Sequence, residues 1–546
     1  MNQRRVILAV FLMLIVAVLP GILFSPPPSV QRPVDTTRVV TPPPAPRPES
    51  VAVAVRPTAA ALPAETVWAT SPLVRYGFST RGAQLVTAEL AQYRSFAHGD
   101  SGQLVNLIPA AYPILGARLA VGADTVSLSG LSYTATRRGT DLVFTAPIGS
   151  GSVTLTYRFY PDAYNFSLQG RIDGLGSTGG VLLLDLGHGL RTVEADALGD
   201  SHEYAVVTKA EKTQKETFAS LDPGERVVVE GPFEWVAVKS KYFFAAVMSP
   251  QQNTRPFAGA IVIGQPRDTM TVSGLLGTRR SPLALRAAVT TTIAVPPAGD
   301  FRYDIYVGPF EHRRLAQLGH GLDDANPYGW SIFRPIIHPV SIVVVRILFW
   351  MHDRLHLAYG WVLVSFGVLV RLLLWPLQQR AMESQMRMQA VQPLMQDIQT
   401  RFKGEPEKLQ REMLRLYREH KINPLGGCLP MLLPMPVLLA LFFVFSNTIE
   451  FRGVPFLWLP DLSRHDPLYI IPIVMGLSMY AVSKIGQRGL PPSPQTKMLL
   501  YLMPAMLTFV FLRLASGLNL YYAVQNIISL PQQWLIAKRR MAAQAK

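Results

Sequence analysis

One cation in this chain stands where cations are costly. Arg371 lies inside an apolar run from Leu357 to Leu377. The run is long enough to cross a bilayer as a helix, which takes about 20 residues. A guanidinium at the centre of such a helix costs about 2.5–3.5 kcal/mol on insertion scales. A chain keeps it by facing it to water inside a helix bundle, or by letting it reach the interface. Near the C-terminus, Tyr521, Tyr522, Gln525 and Asn526 put polar groups on neighbouring faces of another apolar segment by i, i+3, i+4 geometry. They either wet the same cavity as Arg371 or make ordinary helix contacts.

Other chemistries find little footing. His352 and His356 have the i, i+4 spacing of a zinc helix, but Asp353 stands where the catalytic Glu would be and no third ligand is evident. They read as the polar face of an interfacial helix, and no metal is expected. The single cysteine, Cys428, excludes an intramolecular disulfide and a cysteine-rich metal site. Residues 66–320 contain no phosphate loop, nucleophile elbow or metal-ligand spacing. No cofactor and no enzymatic activity are expected.

The elements that position Arg371 follow from composition. The 546 residues are 49% hydrophobic and 16% charged, with a net charge of +16. Residues 26–330 carry a net of +1 and residues 331–546 a net of +13, so the positive excess belongs to the hydrophobic part. That pattern signals membrane topology and contact with anionic lipids, not specific nucleic-acid binding. The chain divides into an N-terminal transmembrane anchor (1–25), with a cleaved signal peptide as the alternative, a Pro/Ala-rich linker (26–65), an all-β sandwich domain (66–326) and an amphipathic interfacial helix (327–356), for which a full span is the alternative because Val340–Trp350 is apolar. Transmembrane helix 2 (357–379), a cytoplasmic helical hairpin (380–427), transmembrane helices 3–6 (428–538) and a basic tail (539–546) follow. The linker holds eleven prolines, which make it a semi-rigid tether. Alternating runs such as 152–160, 226–230 and 301–307 predict strands, while 207–220 reads as a loop or short helix and Gly187-His188-Gly189 as a turn. The sandwich reads as a binding or spacing module. Lys and Arg concentrate in the loops after the second and fourth spans and in the tail. Six spans with both termini cytoplasmic satisfy that bias, and they place the β domain in the periplasm of a Gram-negative inner membrane.

Within the hairpin, Gln379–Phe402 and Pro406–His420 read as two helices broken at Gly404. Met382, Met386 and Met413 are among the residues that give it an adaptable apolar surface. That surface zips the two helices together, captures hydrophobic clients, or does both.

Five stretches carry a family resemblance: Leu369–Leu377 around Arg371, Ile422–Pro430, Met435–Leu441, Asp466–Pro472 and Ser516–Tyr522. Together they resemble the YidC/Oxa/Alb family of membrane-protein insertases, and the likeness covers nearly the whole chain. The resemblance implies a five-helix insertase core, a periplasmic β-supersandwich, and a hydrophilic groove in the inner leaflet closed to the outside. It places the groove arginine at Arg371 and client contacts near Gly367 and Tyr522, although many members carry a hydroxyl residue where this chain has Gly367. It implies nascent inner-membrane proteins as clients, with the Sec translocon and the ribosome as partners. The competing reading is a solute or proton-coupled transporter with a periplasmic binding domain. That predicts intramembrane carboxylates, and spans two to six contain no Asp or Glu. A sugar-binding role for the sandwich stays open. Without an intramembrane acid to pair with, Arg371 is expected to sit in water.

Overall fold

The computed structural model describes residues 64–544, except 176, 178, 268, 275–276, 284–285, 327, 330–332, 421–434 and 489–497. The expected anchor and nearly all of the linker lie outside the described residues. The chain forms two compact units that meet in sequence at Ala325 and Asn326.

The first unit is built of antiparallel sheets. The largest has nine strands and is centred on Phe243–Met248, Asp300–Pro309 and Asn165–Ile172. A six-stranded sheet runs from Arg226–Phe233 through Phe257–Gly264, Ala287–Val295, Gly180–Asp185 and Gly116–Val121 to Asp124–Ser127. Period-two burial shows why these segments are strands. In Ala287–Val295 the residues Ala287, Val289, Thr291, Ile293 and Val295 are buried and those between them are less so. Phe243–Met248 is buried throughout, so both faces of the large sheet are covered there. Gly187 and Gly189 both take positive φ, at 77° and 91°, which produces the expected turn about His188. Segment 207–220 differs from expectation. Ala205–Lys209 and Thr213–Thr217 form an antiparallel hairpin, followed by a 3-10 turn at Phe218–Ser220. β-branched Val206, Val207, Thr208, Thr213 and Thr217 fit a pleated surface better than a helix, and the charged residues fall largely on its open positions.

The second unit is helical. We name α1 (Ala197–His202) and α2 (His312–Leu318) in the β unit. The helical unit holds α3 (Arg334–Leu355), α4 (Tyr359–Ala390), α5 (Gln392–Arg401), α6 (Pro406–Glu419), α7 (Met435–Asn447), α8 (Ile470–Gly486), α9 (Met503–Phe511) and α10 (Ser516–Gln544). A π-helical turn, Met498–Leu502, leads into α9. Among the described residues, α3 and the Tyr359–Gln379 part of α4 are long and apolar enough to cross a membrane; α7, α8 and 500–511 are shorter apolar helices. The core joins Leu348 and Phe349 of α3, Phe366 of α4, Leu441 and Phe445 of α7, Met475 of α8 and Leu518 and Tyr521 of α10.

The hairpin departs from the sequence reading, which runs one helix from Gln379 to Phe402. α4 runs unbroken past position 379 to Ala390, so the second span and the start of the hairpin are one rod. The break falls at Val391, where Pro393 in the first turn of α5 disfavours continuation of the preceding helix. At the other end α10 continues to Gln544, which makes the start of the basic tail helical. α3 buries Val344, Val345, Leu348 and Phe349 and exposes Val343, Arg346 and Trp350. One face packs on the bundle, and the other mixes apolar residues with a cation.

Candidate functional site

The helices that carry the polar residues pack together. α10 lies along both α4 and α8, and α9 packs on α8. Close approach of α4 and α10 depends on Gly367. A Cβ there would sit 3.0 Å from Val524 Cγ1 and 3.7 Å from the Tyr521 ring. Gln525 exploits that closeness by donating from Nε2 to the Gly367 carbonyl at 2.7 Å.

One helical turn further along α4 is Arg371. It is only 8% exposed, so it is not in water as expected. Its Nη2 donates to Gln532 Oε1 at 2.6 Å, and Gln532 is 1% exposed. No carboxylate lies within ion-pair distance of Arg371 among the described residues. The physical reason for the correction is simple: a neutral carboxamide accepts a hydrogen bond from a guanidinium without carrying charge. The arrangement is incomplete, because Arg371 Nε and Gln532 Nε2 have no acceptor among the described residues. A buried donor left unmatched costs about 1–3 kcal/mol.

The four polar positions read from span six do not converge. Tyr521 is buried against Phe366, with ring centroids 5.9 Å apart, on the Arg371 side. Gln525 reaches Gly367 on the same side. Asn526 faces α8, with Nδ2 3.2 Å from Ser478 Oγ and 3.4 Å from the Met475 carbonyl. Tyr522 makes a tilted ring contact with Phe511 of α9, centroids 5.6 Å apart. Sequence reasoning missed Gln532 and Ser529, both buried. Tyr521, Gln525, Ser529 and Gln532 recur at steps of four, four and three, which is a single helical stripe.

Outside this cluster, α8 is capped at both ends. Asp466 accepts from the Leu468, Ile471 and Trp458 N–H groups at 2.9, 2.8 and 3.3 Å. Arg540 donates from Nη1 to the Gly486 and Arg488 carbonyls. In the hairpin, α6 buries Leu416 and half-buries Leu409, Met413 and Tyr417 along one face. The side chains of Met382 and Met386 lie outside the described residues. Among the described residues no group of His, Cys, Asp and Glu is placed to hold a metal ion.

Family comparisons divide the chain at nearly the same place as its two units. Residues 67–339 match the family model "YidC periplasmic domain", and residues 350–544 match "60Kd inner membrane protein". A membrane protein insertase YidC from Cupriavidus metallidurans is 33% identical over 418 residues, covering 74% of this chain and 70% of the relative. The chain belongs to the YidC family. A second YidC insertase, from Chlorobaculum tepidum, is 33% identical over 411 residues, which covers 70% of this chain and 65% of the relative. A solved YidC insertase with its first transmembrane domain resolved aligns over 86% of this chain and 92% of its own, at 17% identity and a TM-score of 0.35. The described chain thus pairs a β-rich periplasmic-type domain with a helical part of the family's membrane type, and the Arg371 cluster lies in the latter.

Proposed function

We propose that this chain is a membrane-protein insertase and chaperone of the inner membrane. The observation that carries the reading is Arg371, a cation buried on an apolar helix beside a neutral acceptor, in a chain of the YidC family. A transporter finds no support in these relatives. On this reading six spans cross the membrane, both termini are cytoplasmic and the β domain is periplasmic. α4 and α10 part to admit a short polar segment of a nascent inner-membrane protein. Arg371, with Tyr521 and Gln525 of α10, reduces that segment's desolvation cost, while its apolar segment moves into lipid. Burial in lipid drives the step. Gly367 and Tyr522 contact the client, Tyr521 and Gln525 line the α4 side of the opened groove and Asn526 its α8 side, and Met382, Met386 and Met413 capture the client on the cytoplasmic side. The Sec translocon, the ribosome and anionic lipids are partners, the last two through the basic tail and loops.

The test is Arg371→Ala and Arg371→Lys in cells depleted of their resident insertase. Insertion of a small client with an acidic translocated tail is followed by protease accessibility. Losing a charge-assisted contact of about 1.5–3 kcal/mol should slow insertion about ten- to a hundredfold in the Ala variant, with Lys intermediate. Wild-type insertion by Arg371→Ala would remove Arg371 from the mechanism.

A further inference from the structure

The α4–α10 interface holds hydrogen-bonding capacity that the described chain does not fill. Arg371 and Gln532 already share one bond, from Nη2 to Oε1. Each also keeps one buried donor without an acceptor among the described residues, Arg371 Nε and Gln532 Nε2. Because the two side chains are joined, their spare donors belong to one small region. Both side chains are more than nine-tenths buried, so bulk water does not serve them. Two spare N–H groups, one on a cation, call for an acceptor with negative charge. A carboxylate fits, because its two oxygens accept several bonds and pair with a guanidinium in a fork.

We propose that Gln532 is a positioning and selectivity residue of this site. Resting on the insertase reading above, the proposal assigns it two tasks. Without a client, the Gln532 carbonyl holds Arg371 in place without neutralising it. When a client carboxylate arrives, it displaces that carbonyl from the guanidinium, takes Arg371 Nη2 and Nε, and accepts a further bond from Gln532 Nε2. Neutrality is the point of the design: a carboxamide yields to an incoming anion, whereas a built-in carboxylate would hold the arginine permanently.

The full-length chain carrying Gln532→Glu or Gln532→Met is expressed in cells depleted of their resident insertase. Two clients are compared, one with an acidic translocated segment and one whose Asp and Glu are changed to Asn and Gln. Gln532→Glu should lower insertion of the acidic client about tenfold, the scale of one charge-assisted bond, and leave the neutral client within about twofold. Gln532→Met, which has no donor and only a weak sulfur acceptor, should lower the acidic client about threefold with the same selectivity. It carries the test if the Glu variant fails to accumulate in the membrane. Equal loss for both clients would show that Gln532 only packs the interface, and no loss would show that it has no part; either overturns the proposal. If the wild type inserts neither client, the insertase reading itself fails.

Discussion

Asp200, in the β unit, sets a pH dependence that can be worked from its surroundings. It sits on α1 and is 1% exposed. Its oxygens accept from the Lys241 backbone N–H at 3.1 Å and the Tyr204 hydroxyl at 3.4 Å. These bonds do not offset burial. Desolvation, reinforced by the nearby Glu194 carboxylate, pushes the Asp200 carboxyl up from 3.8 to about 7. In the unfolded chain it titrates at about 3.9. Below pH ~4 the group is neutral in both states and costs nothing. As pH rises through ~4–7 the unfolded state gives up its proton first, so stability falls, and the loss is complete above the folded value. A shift of that size corresponds to on the order of 4 kcal/mol, since each unit is worth about 1.4. Lys239, buried and pushed down to about 7, acts in the window above that value and in the opposite direction. Asp200→Asn keeps the shape and the acceptor for Lys241 but removes the charge. The full chain in detergent is followed by hydrogen exchange of the Ala205–Lys209 amides, taking the ratio of variant to wild type at each pH to cancel intrinsic rates. At pH 8 the variant should exchange more slowly by a factor on the order of a hundred to a thousand, and the ratio should approach one near pH 4. A variant that tracks the wild type from pH 5 to 8, or exchanges faster at pH 8, would refute this account of the burial.

Three further expectations concern the helical unit. The loss of insertion in Arg371→Ala, with Lys intermediate, is read from protease accessibility of an acidic client. Gly367→Ser places a Cβ 3.0 Å from Val524 Cγ1. It should lower the melting temperature by the equivalent of about 1 kcal/mol, and Val524→Ala in the same chain should restore it. Asp466→Ala removes the acceptor of three N–H groups at the start of α8. It should cost about 2 kcal/mol or more in thermal stability and red-shift the Trp458 contribution to fluorescence.

The sequence and the structure part company where a contact is neutral or distant along the chain. Strands such as Gly151–Phe159 announce themselves because one face alternates with the other. The Thr213–Thr217 strand was hidden because its Lys and Glu mask a pattern that only pairing with Ala205–Lys209 makes sense of. The break at Val391, inside the expected Gln379–Phe402 helix, is missed unless Pro393 is read as the start of a new helix. Arg371 was legible as an anomaly from its apolar neighbours alone. Its partner was not, since searching the spans for an acid equates a missing counter-charge with a missing acceptor. Gln532 lies 161 residues away and changes no charge count. Only the stripe Tyr521–Gln525–Ser529–Gln532, read for hydrogen-bonding capacity instead of charge, leads to it. The distinction matters for mechanism. An arginine held in open water is already hydrated and gains little from meeting a carboxylate, because it must shed that water first. On the proposed reading, an arginine held by one carboxamide, with Nε unmatched among the described residues, has little water left to shed when an anion enters.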